Sequence, residues 1–221
     1  MKVPLPQTKE GRGLTNWVTA SLREAILAGH FEPCEKLDQD LIAEELKVSR
    51  TPIREALKVL ESEGFVEIRS YRGAYIAQVT RQDIQDVFDV RRLFEAEIVR
   101  QATPIIPDEV IAELETLMLS ELKDNDISDG GHYFSVDAKF HDTLLNYCQN
   151  KLFLEILSNL NNRILRVRYF ALRQPGPHLK KSFEEHLIII DAMKKRDPEL
   201  ASKAMSDHLA KSALRIEEFI R

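Results

Sequence analysis

The residues best suited to chemistry are one aspartate and three histidines that recur on apolar stripes in the second half of the chain. Asp137 and His141 are four residues apart, so one helix would project both side chains from the same face. His186 and His208 each lie among leucine, alanine and other apolar residues at helical spacing. Because buried polar groups need partners, these four side chains require an explanation. A carboxylate and imidazoles are typical ligands of a divalent metal.

The spacing of the last two histidines indicates that they meet. Asp197 and the proline after it predict a turn between two helices, and His186 lies eleven residues before Asp197 while His208 lies eleven after it. In an antiparallel pair both would stand at one height, about 16 Å from the turn. We therefore predict a divalent metal held by Asp137, His141, His186 and His208. Zn is favoured, and Ni, Mn or Fe suit the same donors. A buried histidine network without metal is the alternative.

A second group of polar residues follows a predicted helix over residues 49–63. At 100° per residue its aliphatic side chains fall on one arc, and Arg50, Thr51, Arg54 and Lys58 fall beside that arc. Arginine can donate two parallel hydrogen bonds to guanine, and Ser49 and Thr51 at the helix N-terminus suit a phosphate. The pattern predicts a DNA-reading helix, with an ordinary solvated charged face as the alternative.

Two segments must position the candidate metal ligands and the candidate DNA contacts. The first combines helices with a β-hairpin, and the second is helical. Residues 15–27, 38–46 and 49–63 predict three helices, and residues 65–77 predict a β-hairpin, in the order of a winged helix. Six further helices are predicted at about 81–102, 108–123, 132–148, 151–172, 178–195 and 198–219. We therefore predict a mainly α protein. A polar tail (1–14) is followed by a winged helix-turn-helix domain (15–79) and an all-α antiparallel bundle (80–221).

Composition restricts the classes of function. The chain has 221 residues, of which 43% are hydrophobic and 30% charged, as in ordinary globular proteins. It has no apolar run of about 20 residues and no apolar leader, so we expect no membrane partner. Two cysteines without a motif favour the cytoplasm. The net charge is −5, and residues 1–79 hold 11 basic against 12 acidic side chains. Contact with nucleic acid must therefore come from a local basic cluster.

Residues 48–57, with the sequence Val-Ser-Arg-Thr-Pro-Ile-Arg-Glu-Ala-Leu, resemble the GntR family of bacterial transcription regulators. The resemblance covers about residues 15–79. It implies a double-stranded DNA operator, contacted in its minor groove by the tip of the hairpin. The residues that it assigns to DNA are Ser49, Arg50, Thr51, Arg54, Arg72 and Gly73.

This chain departs from the family pattern at two positions. Cys34 stands where the family usually has glycine, so a left-handed turn residue is not expected there. Asp40 stands where some relatives place a basic phosphate contact, so affinity should depend more on Arg50 and Arg54.

The second half resembles the FCD ligand-binding domain of the FadR branch of these regulators, over about residues 82–219. The similarity lies in residues 90–95, 137–141 and 186–209, and six helices suit the VanR-like subgroup. It implies that an aspartate and three histidines hold a divalent metal and that a small carboxylic acid binds beside it. Arg91 is the first candidate to bind that acid, and Arg163 is a second.

The leading hypothesis is a metabolite-responsive transcription regulator, of the repressor type, that binds a pseudo-palindromic operator as a homodimer. A dimer places two winged helix-turn-helix domains, here called reading heads, on the two half-sites of such an operator. The helical domain offers the larger apolar area for the dimer interface. A metal-dependent hydrolase or lyase with an accessory DNA-binding module is the alternative. A purely structural metal is a third reading. We expect no enzyme, because no glutamate is paired with the ligands as in a His-Glu-x-x-His helix.

Overall fold

The computed structural model describes residues 13–123, 130–172 and 178–220. The chain divides between Gln78 and Val79 into two compact units. Of the predicted tail, residues 1–12 lie outside the described residues, and the first helix begins at Leu14, one residue earlier than predicted. Within the described ranges, no helix is both long and apolar enough to cross a membrane.

The first unit has three helices and a small sheet. Its elements are α1 (Leu14–Leu27), β1 (Lys36–Leu37), α2 (Gln39–Glu45), α3 (Arg50–Ser62), β2 (Val66–Arg69) and β3 (Gly73–Ile76). The sheet is antiparallel in the order β1-β3-β2. The predicted hairpin is β2–β3, and β1 is an additional strand, with Lys36 opposite Tyr75. Two residues are too short for an alternating pattern, so the sequence indicates only a short extended or turn segment at residues 31–37.

The core of this unit is the apolar arc of α3 packed against α1. Ile53, Leu57 and Leu60 are buried, as the helical spacing predicts, and they lie in one cluster with Val18 and Leu22. Asp38 caps α2 by accepting hydrogen bonds from two backbone N–H groups of its first turn, at 3.0 and 3.1 Å. The buried arc of α3 therefore sets the orientation of this helix, and the face opposite that arc remains exposed.

Gly73 and Cys34 are two of the turn positions that have a positive φ. Gly73 has a φ of 104°, and a Cβ atom there would lie 3.3 Å from the Lys36 side chain, so the end of the hairpin turn requires glycine. Cys34 has a φ of 64° although it is not glycine. The expectation that this position would avoid the left-handed region was wrong. Its N–H donates to the Ile76 carbonyl at 3.0 Å, and this bond helps hold the turn.

The second unit is helical throughout its described part. Its elements are α4 (Arg81–Ala102), α5 (Asp108–Lys123), α6 (Gly130–Leu145), α7 (Lys151–Leu172), α8 (His178–Lys194) and α9 (Pro198–Glu217). The six helices agree with the prediction, and α6 differs most, ending at Leu145 rather than 148. Thr80 and Asp83 form a capping box at the start of α4, as the spacing of these two residue types favours. Long-range packing joins α4 to α9, α9 to α8, and α8 to α5.

The turn between α8 and α9 is fixed by polar contacts, and this sets the register of both helices. Arg196 has a φ of 53°, and its guanidinium donates to the Thr103 and Ile106 carbonyls at 2.8 and 2.6 Å. Asp197 caps α9 by accepting from the Leu200 N–H at 3.0 Å. Since helix register determines which side chains face each other, this turn determines where His186 and His208 lie.

Candidate functional site

The four predicted metal ligands converge in the interior of the helical unit. His141 on α6, His186 on α8 and His208 on α9 are buried, and one ligand atom of each lies within 4.8 Å of the others. The Nε2 atoms of His186 and His208 are 3.3 Å apart, in accordance with their matched distances from the turn. Asp137 Oδ1 is 3.8 Å from His141 Nε2 and 3.7 Å from His186 Nε2. Three helices therefore bring four donor groups together.

An outer carboxylate orients His208. Its Nδ1 lies 2.9 Å from Glu185 Oε2, so the ring donates there and directs Nε2 toward the cluster. Arg215 donates two hydrogen bonds of 2.7 Å to the same carboxylate. Burial alone would raise the pKa of Glu185, but the bonds from His208 and Arg215 outweigh burial and lower that pKa to about 2. Glu185 is therefore ionised at neutral pH and holds the imidazole in one tautomer.

A second carboxylate lies beside His141. Glu95 Oε2 is 2.7 Å from His141 Nδ1, although the ring N–H is not well aligned with it, and Glu95 Oε1 accepts from Arg91 Nε at 2.6 Å. Arg91 is 4% exposed, and its Nη2 lies 3.5 Å from His141 Nε2. Burial would raise the pKa of Glu95, but the interactions of its carboxylate with Arg91 and His141 together outweigh burial and lower that pKa strongly. A buried guanidinium therefore stands at the edge of the cluster, already paired.

The protonation states at the cluster suit a cation. Burial lowers the pKa of both His186 and His208, and the other imidazoles lower the pKa of His186 further. Burial would raise the pKa of Asp137, but the charge of Arg168, which donates to its Oδ2 at 2.5 Å, acts together with the nearby histidines and Arg91 to outweigh burial and lower that pKa. At neutral pH His186 and His208 are therefore neutral and Asp137 is ionised, the forms in which these groups bind metals. The Nδ1 of buried His186 has no hydrogen-bond partner among the described residues.

Acidification should destabilise the metal-free protein. Since His186 and His208 have lowered pKa values when folded, the unfolded chain binds protons there that the folded chain does not, below about pH 6.5. The free energy of unfolding should therefore fall between pH 7.5 and 5.5, by at most about 1.4 kcal/mol per pH unit for each histidine. Urea denaturation of chelator-treated protein measures this fall. A His208→Gln variant should show a smaller fall, and equal stability at both pH values would contradict the assignment.

The two arginines predicted to bind an acid are placed differently. Arg91 lies at the histidine cluster, as described above. Arg163 is exposed on α7 and lines a cleft of about 100 Å³ between α4 and α7, and none of the four predicted ligands lines that cleft. The lining of that cleft includes Asp83, Val87 and Leu160. The structure thus brings Arg91, but not Arg163, to the predicted ligands.

The exposed face of α3 carries the residues predicted to contact DNA. Arg50, Thr51 and Arg54 are exposed, on the side opposite the buried arc. Ser49 takes the N-cap position with extended backbone, and its side chain makes no capping hydrogen bond. The Arg50 guanidinium forms an ion pair with Asp40 on α2. The N-terminal part of α3, with its N-cap, therefore presents two cations and two hydroxyls.

The hairpin between β2 and β3 carries the remaining predicted contacts. Arg72 is exposed in the turn, and Gly73 begins β3 opposite Arg69. Arg69 pairs with Glu67 through two hydrogen bonds of 3.0 and 2.9 Å. Tyr71, at the tip, is fully exposed with a φ of 62°. The free cation of this turn among the described residues is therefore Arg72, whereas Arg69 is neutralised by its neighbour.

Sequence reasoning missed the ring of charged residues around the histidines. These residues are Glu95, Arg168, Glu185 and Arg215. The i, i+4 spacing of Arg91 and Glu95 was a detectable signal of a helix-surface pair. No comparable signal exists for Arg168, since its partner Asp137 lies on another helix. Glu185 is next to His186 in sequence but binds the other histidine of the hairpin.

Comparison with known proteins identifies both units. The model of the bacterial regulatory proteins of the gntR family matches residues 14–76, and the FCD domain model matches residues 86–211. The Nta operon transcriptional regulator of Aminobacter aminovorans is 30% identical, over 87% of this chain and 89% of the relative. The HTH-type transcriptional repressor RspR of Escherichia coli K12 is 27% identical, over 85% of this chain and 82% of the relative.

A solved GntR-type transcriptional regulator from Rhodococcus sp. RHA1 has the same fold. It is 25% identical to this chain, with a TM-score of 0.70, over 94% of this chain and 99% of the other. The FCD domain is consistent with the FadR branch that the sequence indicates. These relatives are transcription regulators rather than enzymes. The chain belongs to the GntR family and is a DNA-binding transcription regulator with an FCD domain, not an enzyme.

Proposed function

We propose that this regulator represses transcription as a homodimer on a pseudo-palindromic operator and responds to a small carboxylic acid bound at a divalent metal in its helical unit. The observation that carries the metal and effector part is the convergence of Asp137, His141, His186 and His208. Burying three imidazoles and a carboxylate costs free energy unless a shared partner such as a metal ion compensates them.

The donors present fit such a metal. Asp137, His141, His186 and His208 would hold it, and Zn suits this donor set best, with Ni, Mn or Fe as other candidates. Bound there, the ion would supply a positive charge and open positions for an anionic oxygen. The Glu185 carboxylate at His208 supports this assignment, because such a partner fixes the tautomer of a metal-binding imidazole.

Arg91 is the proposed contact for the acid. A guanidinium offers a bidentate fork to a carboxylate, and Arg91 is buried at the edge of the cluster. Its present partner Glu95 would have to share it or release it. Arg163 is the weaker candidate, because it is exposed and lines a different cleft.

For DNA, we propose that α3 enters the major groove. Arg50 and Arg54 would read base edges, and Ser49 and Thr51 would bind phosphate at the helix N-terminus. The absence of a capping bond from Ser49 leaves its hydroxyl available for this. Arg72 and Gly73 would bring the hairpin turn to the minor groove.

A screen of small organic acids tests the effector. Full-length, Zn-loaded protein is examined by thermal unfolding with each acid, and the acids that raise the midpoint are then tested for an effect on binding to a duplex obtained by binding-site selection. We expect at least one acid to change operator affinity by about 5- to 150-fold, the usual size of such coupling. An acid that is consumed during the assay would instead support the enzyme alternative. If no acid affects stability or DNA binding, the metal is structural.

The proposed homodimer can be tested separately by the mass of the protein in solution. Light scattering on the full-length chain at micromolar concentration should give twice the mass of one chain. The same measurement on residues 79–221, the second compact unit, locates the interface. A dimeric fragment places the interface in the helical unit, whereas a monomeric fragment from a dimeric full-length chain would contradict that location.

A further inference from the structure

An acidic side chain on α2 pairs with Arg50, one of the residues on α3 that are predicted to contact DNA bases. Asp40 in the first turn of α2 forms an ion pair with the Nε of Arg50 at the start of α3. The two side chains are 60% and 62% exposed, so the pair lies on the surface. An exposed ion pair contributes little to folding stability. Stability therefore does not account for an acid at this place.

The geometry of the pair matters for what Arg50 can do. A guanidinium presents a side edge, which includes Nε, and an end edge formed by its two terminal nitrogens. Asp40 occupies the side edge at Nε. The end edge keeps two parallel N–H groups, which is the arrangement that guanine O6 and N7 accept. A long side chain with several rotatable bonds is thereby restricted before it contacts DNA.

We propose that Asp40 is a positioning residue for base recognition, which orients Arg50 for end-on contact with a guanine and keeps it from binding phosphate instead. This rests on the proposed placement of α3 in the major groove. The carboxylate also repels the phosphate backbone, so it lowers affinity for every DNA sequence. The orientation of Arg50 by Asp40 raises the ratio of affinity for the operator to affinity for other DNA. Asp40 therefore exchanges affinity for specificity.

The proposal predicts opposite changes in two measurable quantities. Asp40→Asn keeps the shape of the side chain and removes its charge. We expect the preference for the base read by Arg50 to fall by about 3- to 10-fold, part of the full value of a bidentate contact. Affinity for a mixed-sequence duplex should rise. Its salt dependence should steepen by up to about one unit of log–log slope, because the freed Arg50 reaches a phosphate.

The experiment compares wild type, Asp40→Asn, Arg50→Ala and the double variant, all as full-length chains. Binding-site selection from a random duplex library gives the motif for each, and the position lost in Arg50→Ala is the one that Arg50 reads. In the Arg50→Ala background, Asp40→Asn should leave the motif unchanged, since Asp40 acts through Arg50. Glu24→Gln on α1 removes an exposed charge outside the reading face and is the matched control. Thermal unfolding confirms that each variant is folded.

The outcomes separate this inference from the function on which it rests. If wild type enriches no motif, α3 does not read DNA and the proposed function fails. If wild type enriches a motif and Asp40→Asn keeps the full preference at the Arg50 position, the positioning role is overturned. Equal gains in affinity for selected and mixed-sequence duplexes would overturn it too, because Asp40 would then only repel phosphate.

Discussion

Replacing both His186 and His208 by alanine should reduce bound divalent metal from stoichiometric to background levels. The two rings supply half of the four donors, and their Nε2 atoms face each other at 3.3 Å. The loss should also appear in stability, because a ligand that binds only the folded chain stabilises it. At a free metal concentration about 1,000 times the dissociation constant, that stabilisation is about 4.1 kcal/mol. Chelation should therefore destabilise wild type by this amount and leave the double variant unchanged.

Elemental analysis of protein purified without a polyhistidine tag measures the metal, and urea denaturation with and without chelator measures the stability. His30→Ala removes an exposed histidine and is the control, which should retain full metal. Because the double variant leaves a cavity in the core, circular dichroism must show that it is folded. A His141→Gln variant provides a less disruptive second test. Equal and near-zero metal in wild type and variant would refute the site.

Arg54→Ala should reduce operator affinity by about 5- to 150-fold and relax the preference at one base pair. Arg54 is exposed one turn after Arg50 on the face of α3 opposite the buried arc. Losing a bidentate contact between arginine and guanine costs about 1–3 kcal/mol, and that loss is confined to one position of the site. Binding-site selection with wild type and variant detects this as the disappearance of one preferred base.

Lys58→Ala is the matched comparison on the same helix. Lys58 is exposed and paired with Glu55 at 3.1 Å, and we expect it to contact phosphate if it contacts DNA at all. Its removal should weaken binding to all sequences alike and reduce the salt slope by about one. If Arg54→Ala and wild type enrich the same motif equally well, Arg54 does not read a base.

Most of the fold could be predicted because its signals are local. Thr80 and Asp83 close the capping box at the start of α4, and Asp197 caps α9 just before its proline, as their spacing predicts. Helix bounds followed from such caps. The strand β1 could not be predicted, because its two residues become a strand only by pairing with β3. Ser49 has the cap position without the capping bond, so residue type alone did not determine its contact.

The sequence could predict contacts between residues of one helical hairpin. It could not predict contacts between helices that are distant in sequence. His186 and His208 could be paired because one hairpin carries both and a fixed turn sets their heights. Arg168 reaches Asp137 from α7, a helix with no spacing relation to α6, so no sequence pattern connects them. The carboxylate of Glu185 was missed for the same reason, since it serves His208 across the hairpin rather than its own neighbour.

The connection between the two units has fewer degrees of freedom than its length suggests. Residues 77–80 separate β3 from α4. The Ala77 N–H donates to the Phe65 carbonyl at 2.9 Å, and Val79 is buried in the core of the helical unit. Gln78 is therefore the residue between two anchored neighbours. Most of this short connection is thus held by the unit that it adjoins, so packing leaves few of its backbone torsions unrestrained.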